Sequence, residues 1–198
     1  MLHAEKLAVY VQELLQETNL NPAQLQAVAV SAGPGSYTGL RIATSLAKGL
    51  CIPYATPLIS ISSLLVFAEK FIQENSQMLD EDDLICPLLD ARRMEIFTAV
   101  YSLDGETYLP PTALELHPDF FAELLDSRRI HFIGNGAGKT AELIQHPHAL
   151  FYPNFQTSSS GMAMLAYQKF VDRSFENLAY FEPAYLKEAF ITTPKPKA

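Results

Sequence analysis

The sequence predicts a two-lobed α/β protein. Stretches in which apolar residues recur every three or four positions alternate with short apolar, β-branched runs, which is the pattern of helices and strands packed in layers. The chain has 198 residues, 48% of them hydrophobic, and is therefore long enough to bury a core. The most polar stretch, 76–83, contains four acids, and it predicts a boundary between a first lobe over 1–78 and a second lobe over 79–198.

The first lobe is predicted to open on an amphipathic helix, because Leu7, Val11, Leu14 and Leu15 share one helical face. The glycine-rich segment 32–38 then joins a strand to the next helix. The expected helices cover 4–18, 39–50 and a stretch from Ser60 or Ser62 to Ile72, and the expected strands cover 25–31 and 51–59.

The second lobe is predicted to combine a hairpin with further strands and helices. Asp104 and Gly105 mark the turn of the hairpin, since both central residues of such a turn take positive φ. Pro110 and Pro111 predict that the strand after the turn lies at a sheet edge or is interrupted. The expected strands cover 84–89, 95–103, 107–116 and 130–133, and the expected helices cover 119–126, 136–145 and 158–171.

Composition argues against several classes of protein. A net charge of −8 argues against direct nucleic-acid binding, because neutralising phosphates requires clustered Lys and Arg. No apolar run is long enough to span a membrane, and the N-terminus lacks the features of a signal peptide, so we expect a cytoplasmic protein. Cys51 and Cys86 are predicted to be buried thiols rather than a disulfide or zinc ligands.

A glycine-rich loop before the second helix is a candidate phosphate or nucleotide site. Glycines let a ligand approach the backbone, and the helix start offers free N–H groups and a positive dipole end. The spacing is not that of a dinucleotide-binding motif, so a tight structural turn is the alternative. The candidate residues are Gly33, Gly35, Ser36, Thr38, Gly39 and Arg41.

Two other motifs are weaker candidates. The segment 134–140 (GNGAGKT) misses the P-loop pattern because residue 133 is Ile rather than Gly, and it is interpreted as a strand-to-helix turn. Four charges lie within 90–95, where an acid can ligate a metal or act as a base, although an ion-paired turn explains them as well. No histidine pair has zinc spacing, and no catalytic or metal-binding residue is assigned.

The first two helices carry apolar or small residues on more than one face. One face can pack on the sheet while the other meets a partner helix, although a core within the chain accounts for the same residues. The candidate partner-interface residues are Ala4, Ala8, Tyr10, Val11, Ile42, Leu46 and Gly49.

Four segments together resemble the TsaB (YeaZ) family. They are SAGPGSYTGLRIATSLAKGL, ISISSLLVFAE, PLLDARRMEIFTAVY and FEPAYLKE, and their order and spacing fit the family over essentially the whole chain. The resemblance implies an actin-like, ribonuclease-H-like ATPase fold with two lobes. It also implies a non-catalytic subunit that activates a TsaD-like paralogue in making threonylcarbamoyladenosine (t6A) on tRNA.

The same resemblance implies a set of partners. A TsaE-like ATPase joins the pair, and the helices over 4–18 and 39–50 form the pairing surface. The same surface forms a homodimer when the chain is alone. The family also carries an older glycoprotease-like label, which nothing in the sequence supports.

The start of the chain departs from the family pattern. Members begin with a strand bearing an Asp- or Glu-Thr-Ala-Thr-like segment and with further strands, whereas residues 1–5 lead directly into a helix. About 30 residues in about three strands are therefore expected to be absent from the first lobe. Such a truncation leaves an open edge beside 25–31, which predicts association through that edge and the two helices, or a rearranged lobe.

Two functions follow as hypotheses. The first is the non-catalytic scaffold, which requires no cofactor. The alternative is a nucleotide-binding phosphotransferase or ATPase of the actin-like fold, with ATP or ADP at the glycine loop and Asp90 or Glu95 as metal ligand or base. A peptidase finds no support, because no nucleophile or metal constellation can be assembled from the sequence.

Overall fold

A computed structural model of the chain describes residues 2–187, with side chains from Lys6 onward. The helices are α1 (Leu2–Glu17), α2 (Tyr37–Cys51), α3 (Ser63–Asn75), α4 (Ala122–Ser127), α5 (Ala137–Leu143) and α6 (Ala163–Val171). The strands are β1 (Val28–Gly33), β2 (Leu58–Ser62), β3 (Leu84–Asp90), β4 (Glu95–Ser102), β5 (Thr107–Glu115), β6 (Ile130–Ile133) and β7 (Ala149–Tyr152).

The first sheet has two parallel strands with a helix on each face. β1 and β2 pair from Val28 opposite Leu58, and α2 makes the crossover between them. α2 covers one face, where Val30 and Cys51 are buried. α6 covers the other face, where Ile59 is buried. Within the described part of the chain β1 pairs with β2 alone, so its other edge is open.

The second sheet has five strands in the order β5-β4-β3-β6-β7. β3 is antiparallel to β4 and parallel to β6. α3 packs on one face around Phe71, and α4 and α5 pack on the other around Leu125 and Ala137. Successive residues of β3 enter opposite clusters, Ile85 toward α3 and Cys86 toward α4 and α5, because side chains alternate along a strand. This sheet therefore holds the larger core.

The chain beyond α6 returns to the first sheet. The Glu176 amide donates to the Leu58 carbonyl (2.8 Å), and the Ala184 amide donates to the Ala32 carbonyl (2.7 Å). Phe181 is buried in the same cluster as β1 and α2. The last described segment thus packs with the first sheet although it follows the second sheet in sequence. The division between lobes at residue 78 stays a prediction.

The strand predicted over 51–59 is wrong for residues 51–57, and only residues 58 and 59 belong to a strand. Cys51 ends α2, and the helical path continues because the Ile52 amide still bonds to the Lys48 carbonyl. Residues 52–54 form a 3-10 turn, and the strand begins only at Leu58. The backbone leaves the helical path at Ala55, which follows that turn and has a positive φ of +51°.

The hairpin between β4 and β5 has a longer turn than predicted. Gly105 has a φ of +89°, but Asp104 does not take positive φ. The Ser102 amide bonds to the Glu106 carbonyl (2.9 Å), so three residues rather than two form the loop. β5 lies at the sheet edge, which confirms the expectation from its two prolines.

β7 has no counterpart among the predicted elements. It is four residues long and pairs in parallel with β6, from Ala149 opposite Ile130. The first turn of the helix predicted over 158–171 is a 3-10 turn, and α6 proper begins at Ala163. β6 has the predicted bounds, and the remaining predicted helices and strands are present with shifted ends.

Candidate functional site

Helices α1 and α2 pack side by side and form an apolar groove with a volume of about 640 Å³. The apolar lining consists of Ala8, Val11, Leu15, Leu20, Leu46 and Leu50. We call this feature the α1–α2 groove. Apolar side chains that line an open groove rather than a closed core are typical of a surface for a protein partner.

The outward side of α1 is also apolar. Val9, Tyr10 and Leu14 are 47%, 53% and 59% exposed. If α1 served only a core within the chain, these large apolar side chains would point toward that core. Within the described residues nothing covers them. The choice between a partner surface and a core within the chain stays a prediction.

The structure brings part of the predicted partner interface together. Ala8 and Val11 from α1 meet Leu46 from α2 in the α1–α2 groove. Tyr10 does not line the groove and is exposed elsewhere on α1. The side chain of Ala4 lies outside the described residues.

The other predicted interface residues on α2 lie outside the groove lining. Ile42 is half-buried, and Gly49 is exposed with open space around its α-carbon. Three leucines line the groove but were not predicted as interface residues. They are Leu15, Leu20 and Leu50. Leu15 lies one turn after Val11 on the predicted helical face, so its place in the groove could have been predicted from its spacing.

The glycine-rich loop is closed in part by its own chain. Gly33 has a φ of +102°, and a Cβ there would lie 2.9 Å from the Ala184 carbonyl oxygen. Ser36 caps α2 by accepting a hydrogen bond from the Gly39 amide at 3.3 Å. These are the properties of a tight turn that starts a helix. The assignment of the loop as a phosphate site stays a prediction.

Arg41 is the candidate from that loop that faces a cleft. Gly35 and Thr38 are exposed near the start of α2, and they do not line this cleft. The Arg41 guanidinium instead lies along the side of α2, where its Nη1 donates to the Tyr37 hydroxyl at 3.1 Å. The cleft is bounded on its far side by the segment 181–185.

The two weaker sequence motifs meet in space. Lys139, from the strand-to-helix turn after β6, donates from Nζ to Asp90 Oδ1 at 2.7 Å. The same Nζ donates to the backbone carbonyls of Arg93 (3.0 Å) and Glu95 (2.6 Å). The Asn135 side chain accepts a hydrogen bond from the Asp90 amide at 2.9 Å. The lysine that suggested a P-loop therefore fixes the turn after β3.

The turn held by Lys139 has an unusual backbone. Arg92 and Arg93 have φ values of +71° and +52°, which cost about 1 kcal/mol or more for each non-glycine residue. The hydrogen bond from Lys139, followed by the bond from the Arg92 amide, lowers the pKa of Asp90. Glu95 is paired with Lys187. Both acids proposed as metal ligand or base are thus engaged with cations of the same chain.

A second polar network lies at the opposite end of β3. Asp83 accepts from Nε and Nη2 of Arg129 at 2.8 Å each and lies 2.9 Å from Nε2 of His131. The other ring nitrogen of His131 lies 3.1 Å from the Tyr152 hydroxyl. Asp83 and His131 are almost fully buried, so no substrate reaches them, and the network joins β3, β6 and β7.

The pKa shifts in this network follow from burial and pairing. Burial acts to raise the pKa of Asp83, but the hydrogen bonds from Arg129 and His131 outweigh it, and the pKa is lowered. Burial also lowers the pKa of His131, against the opposing effect of the Asp83 carboxylate. Both shifts favour a charged Asp83 and a neutral His131 at neutral pH.

Neither a metal centre nor a thiol nucleophile appears among the side chains of residues 6–187. No three His, Cys, Asp or Glu side chains there lie close enough together to hold a metal ion. Cys86 is fully buried, which raises its pKa to about 12, so its thiol is inert. In the part of the chain that the structure describes, every helix is too short or too polar to cross a bilayer.

The α/β order of elements, with one parallel two-stranded sheet and one mixed five-stranded sheet, defines a protein of the actin-like, ribonuclease-H-like class. The family model "TsaD: tRNA N6-adenosine threonylcarbamoyltransferase" matches residues 1–197. The chain belongs to this family, in its TsaB (YeaZ) branch.

Individual relatives agree with this assignment. The chain is 25% identical over 195 residues to the tRNA threonylcarbamoyladenosine biosynthesis protein TsaB of Escherichia coli K12, covering 93% of this chain and 80% of the relative. It is 36% identical over 99 residues to the TsaB of Bacillus subtilis 168, which is 50% of this chain and 40% of that relative. The solved structure of YeaZ from Pseudomonas aeruginosa superposes with a TM-score of 0.77 at 26% identity, covering 93% of this chain and 86% of that one.

Proposed function

We propose that this chain is a non-catalytic subunit in the formation of threonylcarbamoyladenosine on tRNA, where it pairs with a TsaD-like paralogue and activates it. The relatives from E. coli and B. subtilis carry the name of that biosynthesis, and the family model carries the name of the transferase. Those names do not state a pairing role. We infer that role from the structure around α1 and α2.

The observation that carries the proposal is the apolar surface of α1. The α1–α2 groove is open, and Val9, Tyr10 and Leu14 are further large apolar side chains of α1 that are exposed outside the groove lining. A partner that lays its own helices across this surface would bury side chains that this chain leaves in water. Each large apolar residue fully buried in that way contributes about 1.5–3 kcal/mol.

The engaged acids support a non-catalytic role. Asp90 is bonded to Lys139, and Glu95 is paired with Lys187, so neither carboxylate is free to hold a metal or take a proton. These contacts weigh against the alternative of a phosphotransferase or ATPase. A scaffold has no need of such groups, since the chemistry would be carried by the paralogue.

The proposal also includes the further partners of the chain and its cofactor requirement. A TsaE-like ATPase joins the pair, and the chain forms a homodimer through the α1–α2 groove when no paralogue is present. The net charge of −8 disfavours direct contact with tRNA, so the paralogue would hold the nucleic acid. No cofactor is required, and the place of action is the cytoplasm.

A charge placed in the groove tests the pairing surface. Leu46→Asp and Ala8→Asp should each weaken binding of the TsaD-like paralogue about thirtyfold, because an unpaired carboxylate in an apolar interface costs about 2 kcal/mol or more. Tyr180→Asp is the matched control, since Tyr180 is 83% exposed and lies outside the groove. Binding is measured by titration calorimetry with the purified paralogue.

Stability and activity measurements separate pairing from folding. The thermal melting temperature of Ala8→Asp should stay near that of the unchanged chain, because Ala8 is exposed. Transferase activity of the mixture should fall in proportion to the lost binding and recover at high concentrations of the variant. Undiminished affinity in both groove variants would place the interface elsewhere on the chain.

A further inference from the structure

A second cleft lies on the side of α2 that faces away from α1. It has a volume of about 300 Å³ and lies between α2 and the segment 181–185. We call it the α2 cleft. Its volume is at the lower end of the range for small-molecule sites. None of its lining residues belongs to the α1–α2 groove, so the two surfaces can be occupied independently.

Two cations of α2 line this cleft without a carboxylate partner. Arg41 and Lys48 are seven residues apart, which places them on one face of the helix about 10 Å apart along its axis. Neither forms an ion pair with an acid among the described residues. Arg41 is also held in place, because its Nη1 donates to the Tyr37 hydroxyl and its guanidinium lies 5.2 Å from the centre of that ring. In a chain of net charge −8 this is a local anion-attracting site.

A buried hydroxyl of the cleft lining has no hydrogen-bond partner within residues 2–187. Thr44 lies one turn after Arg41 and is only 6% exposed, and its Oγ1 bonds to no described group. A buried polar atom without a partner costs free energy, so native proteins normally satisfy it with water or a ligand. The neighbouring Ser45 adds an exposed hydroxyl to the same wall.

Two aromatic rings form one end of the cleft. Tyr37 from α2 and Tyr185 from the C-terminal segment have ring centres 4.8 Å apart. They are 43% and 40% exposed, so part of each ring remains available to a flat ligand. Aromatic faces of this kind stack on nucleobases. The cleft therefore offers cations, a free hydroxyl and aromatic surface within one small volume.

We propose that the α2 cleft binds a nucleoside monophosphate. The phosphate lies between Arg41 and Lys48, and the base lies against Tyr185. Glu182 is the acid in the cleft lining, so the cleft carries two positive charges and one negative charge. This balance suits a monophosphate better than the larger charge of a triphosphate. The site lies along the side of α2 from Tyr37 to Lys48, and it does not depend on the pairing role.

Titration calorimetry on the full chain tests the proposal with AMP, adenosine, inorganic phosphate and ATP as probes. AMP should bind at least about tenfold more tightly than adenosine or phosphate, because only AMP engages both the cations and the rings. ATP should bind no more tightly than AMP. Arg41→Gln and Lys48→Gln should each weaken AMP about tenfold and leave adenosine unchanged.

Lys6→Gln is the matched control, since Lys6 is an exposed cation on α1 outside the cleft lining. It should leave AMP affinity unchanged. Amide chemical-shift mapping of the unsubstituted chain with AMP gives an answer that needs no variant. Shifts should centre on Ser45, Lys48 and Tyr185.

Several outcomes would overturn the proposal. They are no AMP binding at millimolar concentration, equal affinity for AMP and adenosine, an equal loss in the Lys6→Gln control, and shifts confined to the glycine loop over 33–36. Binding of tRNA without binding of AMP would likewise assign the cations to another ligand.

Discussion

Replacing Lys139 by methionine removes the ammonium group that holds the turn after β3 and keeps most of the aliphatic stem. The substitution distinguishes two roles for the GNGAGKT segment. If Lys139 fixes the turn, the variant loses stability whether or not a nucleotide is present. If the segment bound phosphate, the variant would lose nucleotide affinity and keep its stability.

The magnitude follows from the three contacts of Nζ. Asp90 is 46% exposed, so its ion pair with Lys139 contributes about 0–1 kcal/mol after solvent screening. The bonds to the Arg93 and Glu95 carbonyls, at 3.0 and 2.6 Å, join a charged donor to backbone groups and contribute about 1 kcal/mol each. Without Lys139 the backbone of Arg92 and Arg93 can relax from positive φ, which offsets part of the lost free energy. We therefore expect a net loss of about 2 kcal/mol.

Urea denaturation at pH 7 measures this loss, and Lys6→Met serves as the control. A loss of about 2 kcal/mol lowers the melting temperature by about 4–8 °C in a chain of this size. The pKa of Asp90 is lowered, so its contribution is present above the unfolded pKa of about 3.9 and is lost as pH falls through the folded pKa. The variant and the unchanged chain should therefore approach one another in acid. A loss under about 0.5 kcal/mol at pH 7 would refute the role given to Lys139.

Three further predictions concern the core. Gly134→Ala should lower the free energy of unfolding by about 3 kcal/mol or more, because its φ is +104° and the new Cβ would lie 2.5 Å from the Phe67 ring. Gly49→Ala is the control, since a Cβ there would lie in open space. Equal melting temperatures of the two variants would contradict this prediction. Cys86, with its pKa raised to about 12 by burial, should react with a thiol reagent at pH 8 only after unfolding, and rapid native labelling would show an accessible thiol. Asp83→Asn should lower the free energy of unfolding by about 2–3 kcal/mol at pH 7. The difference from the unchanged chain should shrink as the pH falls through the lowered pKa of Asp83 in the folded state. If urea denaturation gave the same difference at every pH, the charge of Asp83 would not be its source.

Elements with strong periodicity could be predicted from the sequence, and short elements could not. α1 and α3 follow from their apolar spacing, and β3 from an apolar run between polar turns. β7 has only four residues, and its pairing with β6 is a contact that local sequence does not specify. β1 begins three residues later than predicted, because a capping box of Asn21 and Gln24 starts a 3-10 turn over residues 22–24 and Leu25 caps its end.

Part of the candidate site could likewise be predicted from the sequence, and part could not. The α1–α2 groove could be predicted in part, since Ala8, Val11 and Leu46 lie on helical faces that a sequence displays. The contact between Lys139 and Asp90 joins residues 49 positions apart, so neither motif alone reveals that it supports the other. Local patterns identify faces and turns, whereas the pairing of distant segments depends on the sheet order.

The two sheets are stabilised to different degrees, and this difference links pairing to stability. β3 lies inside a five-stranded sheet, and its residues from Leu84 to Leu88 are buried. β1 has one paired edge in the described chain, and Ala29, its second residue, is exposed. A two-stranded sheet is only marginally stable without packing on both faces, and here α2 is the helix that covers one face and also carries the groove. A partner bound to the groove would hold α2 on that sheet and stabilise the first lobe by mass action. Groove variants should therefore lose partner-dependent stabilisation even where their own folding is unchanged.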